Sequence, residues 1–153
     1  MTTNASDPAL EVPREPEEFH FALWGFDITA VRAMLAAEEP VRHVQLEVSA
    51  ASRLLDPDPT TLDPGAPRTV TLFGIQVWWD HVEELPEKAL DEPVFIAELG
   101  EVGTMVIDGW HRVAKARRLG RKTLPAILLS REQAQRVLLK GSHPIPEEKR
   151  VAP

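Results

Sequence analysis

Residues 106–129 read VIDGWHRVAKARRLGRKTLPAILL, and the fold turns on how this stretch is parsed. The run 104–107 has strand character. Asp108 and Gly109 then turn the chain, and 110–119 has helical spacing, with Trp110, Val113, Ala114 and Leu119 towards one side. Gly120 stands where a left-handed helix end is expected, because a residue without Cβ takes that conformation at little cost. Residues 124–129 read as a buried strand opened by Pro125, near the first position where proline is tolerated. The unit is strand, tight turn, helix, strand.

The turn gathers Asp108, Gly109, His111 and Arg112 around a helix N-terminus. The first N–H groups of a helix lack internal partners and lie at the positive end of its dipole. A phosphate fits such a place. Gly109 lets a ligand approach the backbone, and His111 and Arg112 add donors for phosphate oxygens. Asp108 either caps the helix or helps to hold a phosphate-bound Mg2+. Singly, these residues have ordinary explanations, Asp108 as an N-cap and Gly109 as a turn residue. Together they point to an anion site, since an inward apolar motif has no use for adjacent His and Arg.

The pattern Asp-Gly-x-His-Arg, a helix ending in Leu119-Gly120, and then Leu124-Pro125 with an apolar strand resembles the ParB/sulfiredoxin superfamily. The resemblance covers residues 93–129 and extends in outline back to Val41. It implies an α+β fold: a small mixed β-sheet with flanking helices in a single ParB/sulfiredoxin-like domain. It also implies a nucleotide (ATP, ADP or CTP) whose phosphates meet Asp108, Gly109, Trp110, His111 and Arg112, with Mg2+ held partly by Asp108. Kinase-like relatives take an acidic residue from an early segment as base. Glu47, Asp56 and Asp58 compete for that part, and Glu47 ranks first. The implied chemistry is phosphoryl transfer to a small-molecule acceptor or nucleotide hydrolysis, with Glu47 and His111 as catalytic residues. Beside it stand a non-catalytic nucleotide-binding regulator and a protein-interaction module, linked to DNA partition or modification and working as a homodimer or with a protein partner. Sulfiredoxin chemistry does not carry over: it needs a cysteine in the turn, where this chain has Trp110, and the chain has none. Partition proteins carry Gly-Glu-Arg-Arg at this turn and continue into a helix-turn-helix domain. Only a short stretch follows Leu129, so direct sequence-specific DNA binding is not expected.

Length and composition agree with one soluble domain. The 153 residues are 43% hydrophobic and 27% charged, enough for a core. No run approaches the ~18 apolar residues of a membrane helix. The lack of cysteine fits the cytoplasm. The net charge of −7 hides an asymmetry: residues 1–108 hold 6 Lys and Arg against 21 Asp and Glu, and residues 109–153 hold 11 against 3. An acidic body argues against broad duplex binding, whereas a basic cluster beside the turn suits a small phosphorylated ligand. Arg117, Arg118 and Lys122 read as a solvated face at a helix C-terminus.

Along the chain, residues 1–17 read as a flexible tail, 18–40 as an N-terminal extension with a helix, 41–141 as the main domain and 142–153 as a second flexible tail. In the extension, 19–26 has strand character, Asp27 caps a helix and Pro40 stops it. Residues 41–48 alternate as a strand, and Ser49 is read as the cap of a short helix to Leu55. Residues 56–67 form a loop, and 69–79 a strand carrying Trp78 and Trp79, one for the core and one for a ligand or partner. A helix broken at Pro86 follows over 80–90. Residues 93–99 and 104–107 pair as a hairpin. After Leu129, Ser130 and Gln133 form a capping box for a helix to Lys140. The histidines His20, His43, His81, His111 and His143 show no pairwise ligand spacing, which argues against zinc.

Overall fold

The computed structural model describes residues 18–21, 23–55, 75, 77 and 79–146. Within them the chain runs β1 (Glu18–Phe21), β2 (Trp24–Asp27), α1 (Ile28–Ala36), β3 (Arg42–Glu47), α2 (Val48–Ala51), α3 (Trp79–Glu84), β4 (Val94–Glu98), β5 (Thr104–Asp108), α4 (Trp110–Arg118), β6 (Thr123–Leu129) and α5 (Arg131–Arg136). Short 3-10 turns lie at Ser52–Leu54, Glu87–Asp91 and Gly100–Val102. The α+β class holds. The readings for 1–17, 56–67, Trp78, most of 69–79 and the chain after Pro146 lie outside the described residues. Among the described residues, no helix is long and apolar enough to cross a membrane.

β4 and β6 are apolar at almost every position because helices cover both their faces. They lie at the centre of a four-stranded sheet of order β3-β6-β4-β5, in which only the β4–β6 pair is parallel. Successive side chains alternate between two cores. Val94, Ile96, Val106, Leu124 and Ala126 meet Trp110, Val113 and Ala114 of α4, Val82 of α3 and Val48 of α2. Phe95, Ala97, Ile107, Ile127 and Leu129 meet Ile28, Val31 and Met34 of α1 and Ala134 of α5. Pro125 is tolerated in a central strand because β4 begins its pairing with β6 only at Ala126.

Local signals set most boundaries. The Asp27 side chain accepts from Ala30 N at 3.0 Å and caps α1. Gly120, at φ +73°, ends α4 with Arg121 N donating to Ala116 O and Gly120 N to Arg117 O. Ser130 and Gln133 make the reciprocal capping box of α5. Pro86 separates α3 from the Glu87–Asp91 turn.

Three readings need correction. Ser49 does not cap α2: β3 runs straight into that helix with Glu47 at the cap position, and Ser49 Oγ instead donates to Glu47 Oε1. Trp79 opens α3 and does not close a strand. α5 ends at Arg136 and not near Lys140, because the next residues are claimed by β2. Asp27 N donates to Val137 O, Leu139 N to Gly25 O and His143 N to Leu23 O, and Phe26 bridges Leu138.

The 18–40 segment is therefore built into the core, with Phe26 and Val31 fully buried. Residues 142–146 are not a loose tail either. Ile145 is 2% exposed, its N–H donates to Gln135 Oε1, and Arg131 donates to the carbonyls of Ile145 and Pro146. Ile145→Ala is expected to lower the unfolding free energy by about 2–5 kcal/mol. Urea unfolding checks this, and a loss below about 0.5 kcal/mol would return the segment to the surface.

Candidate functional site

The β4–β5 ladder shifts register between Phe95 and Ile96, so Phe95 pairs with Asp108 while Ile96 pairs with Val106. Ile107 is the extra residue. Such a bulge re-aims the side chains next to it. Asp108 leaves the sheet where it can meet both helical layers: its Oδ2 accepts from Arg112 Nη2 of α4 at 3.2 Å and from Arg32 Nη2 of α1 at 3.3 Å. Arg32 also lies over the Phe95 ring, 5.9 Å from its centre. Two guanidinium groups thus share one carboxylate oxygen.

Each residue of the expected anion site can now be located. Gly109, and not Asp108, occupies the cap position of α4, at φ +103° and ψ +18°, and no side chain caps that end. An added Cβ would fall 2.5 Å from Val94 Cγ1 and 3.1 Å from Arg112 Nη2. The glycine is thus required by its neighbours inside the protein as well as by its left-handed backbone. Trp110 is 6% exposed, donates from Nε1 to Val106 O at 2.9 Å and stacks on Phe19 with ring centres 6.5 Å apart. It belongs to the core and not to a ligand-facing wall.

Arg112 points back along the chain. Its Nη1 donates to Glu92 O at 2.8 Å and Pro93 O at 2.9 Å, which ties α4 to the approach of β4. Burial pulls its pKa below the ordinary value, the carboxylates of Asp108 and Glu92 oppose that, and Arg32 adds to it. Arginine nonetheless remains a cation in proteins. Nε–H and the second Nη2 hydrogen are the donors that these bonds leave over. His111 packs edge-on against His81 of α3, ring centres 4.8 Å apart. Burial first, and the charge of His81 second, push its pKa down to about 4. It is a neutral ring at physiological pH.

Glu47 is not brought to this corner. Val48 N bonds to Lys122 O just past the exit from α4, whereas Asp108 stands at its entrance. Nine residues at 1.5 Å each set the two ends roughly 13 Å apart. Asp56 and Asp58 lie outside the described residues. Among the described residues no group of three or more His, Cys, Asp or Glu side chains that could hold a metal ion converges, at Asp108 or elsewhere. A groove of about 630 Å3 opens at the opposite end of the sheet, lined by Glu39, Arg42, Glu98, Gln133 and Arg136 among others, and there Glu39 is already taken by Gln133 and Arg136.

Comparison with protein-family models, with curated proteins and with solved structures finds no match.

Two residues that meet the expected site escaped the sequence reading. Arg32 carried a signal, being the one charged residue in the α1 sequence ITAVRAMLA, four places after buried Ile28. His81 carried none, since it meets His111 only through the packing of α3 on α4.

Two outcomes follow for the corner. Gly109→Ala combines a left-handed backbone with a clash against Val94 and is expected to destabilise by about 2–4 kcal/mol in urea unfolding. For His111, the folded pKa lies below the unfolded value of 6.5, so protons bind the unfolded chain first. Its contribution to stability is complete above pH 6.5 and is lost as pH falls towards about 4. His111→Gln should flatten the stability profile across that window, and a profile as steep as the parent's would assign the dependence to another group.

Proposed function

We propose that the chain is a ParB/sulfiredoxin-like binding module that receives the phosphate of a nucleotide such as ATP, ADP or CTP at the entry to α4, and that it works by binding without turnover. The observation that carries this reading is the convergence of Arg32 and Arg112 on one point beside the start of a nine-residue helix. Two guanidinium groups present forked donors that match phosphate oxygens, and the helix dipole adds to their field. The Arg32 side chain, 37% exposed, is the more accessible of the two donors. Arg112, 15% exposed, acts from behind it. Neutral His111 contributes a hydrogen bond and no charge.

Asp108 has a different part in this reading from that of a metal ligand. Its carboxylate already pairs with the two arginines, and a phosphate displaces it from Arg32 by offering more charge to the same donors. Mg2+ then arrives on the nucleotide, since two adjacent cations disfavour a bare divalent ion at Asp108. Glu47 lies by the far end of α4, out of reach of a phosphate held at its entrance.

A second reading is favoured by one specific observation: Trp110 is sealed under Phe19 and both Nη1 donations of Arg112 go to backbone. In that reading the motif is a structural joint of a protein-interaction module. Calorimetric titration with ATP, ADP, CTP and GTP, with and without Mg2+, separates the two. Binding is expected, with Arg32→Ala losing about 1.5–3 kcal/mol of affinity, roughly ten- to a hundred-fold, and Arg32→Lys regaining part of it. Absence of heat and of thermal stabilisation with every nucleotide would leave the structural joint as the reading.

A further inference from the structure

We infer that His81 and His111 form the protein half of a transition-metal site, taking a borderline divalent ion such as Zn2+ or Ni2+. The two residues are 30 positions apart, and α3 packed on α4 brings their rings to 4.8 Å between centres at 85° between planes. Two imidazoles sharing one ion at about 2.1 Å per Zn–N bond have ring centres about 5 Å apart. The observed spacing therefore needs ring rotation to aim both nitrogens and little movement of the helices. His81 is exposed and His111 only partly buried, which leaves an ion a way in from solvent.

The chemistry of the pair selects the ligand. Imidazole binds a metal through a neutral nitrogen lone pair. Nitrogen donors prefer Zn2+, Ni2+ and Cu2+, whereas Mg2+ and Ca2+ want oxygen. Among the described residues no third His, Cys, Asp or Glu joins the pair, so the protein fills two positions and leaves the others to water or to an exogenous donor. That is an open site and not a closed structural one. It shares His111 with the nucleotide reading, and the metal alone, with no nucleotide present, is the probe.

The test is titration of the nucleotide-free full chain with ZnCl2, NiCl2 and MgCl2, followed by calorimetry and by the imidazole NMR signals of all five histidines. One equivalent of Zn2+ or Ni2+ is expected to bind in the micromolar range, moving the His81 and His111 signals together, with no response to Mg2+. His81→Gln, at an exposed position, should fold as the parent does and bind about ten-fold more weakly or worse. Lack of saturable binding, shifts confined to His20, His43 or His143, or undiminished binding by His81→Gln would each overturn the assignment. Nucleotide binding that persists in His81→Gln leaves the reading of the arginine corner untouched.

Discussion

A single carboxylate holds the two helical layers of this protein to the same end of the sheet. Asp108 sits at the last position of β5 and is gripped by Arg32 from one layer and Arg112 from the other. Partly buried ion pairs of this kind add little net energy against an apolar alternative, but removal of one member is strongly disfavoured because the others are left without compensation. Here the loss of Asp108 would leave two guanidinium groups facing each other. The clamp thus fixes where α1 lies relative to α4, and with it the position of Phe19 over Trp110.

The same clamp changes the meaning of the Asp-Gly-x-His-Arg motif. Read linearly, its polar residues surround a helix N-terminus and wait for an anion. In three dimensions the protein already supplies an anion, Asp108, and already uses much of the donor capacity of Arg112 on the carbonyls of residues 92 and 93. The more exposed of the two arginines is Arg32, so the proposed function depends on a segment outside the motif.

The parts of the fold legible in the sequence are those whose determinants are local. Residues 93–129 could be divided correctly because short apolar runs are separated by Gly100, Gly103, Gly109 and Gly120, and the caps of α1 and α5 lie within three residues of what they cap. The misreadings share a different cause. Leu138 leaves its helix because Phe26 competes for it, and Ile145 is buried by contacts from several distant elements. The direction taken by Asp108 depends on a bulge, which is a property of the pairing between β4 and β5 and not of either strand alone. The pairing of His81 with His111 was hidden for the same reason. The candidate site was therefore visible as a location, whereas its partners and its state of charge were not.

The hydrogen bonds between the β1–β2 hairpin and residues 137–143 have a further implication for biogenesis. Gly25 N finds the hydroxyl of Ser142 across 117 positions of sequence, and closing so wide a loop is entropically slow. While the chain is still emerging from the ribosome, Phe19, Phe21 and Phe26 have none of these partners. The N-terminal hairpin completes these contacts only once residues 137–143 have been made.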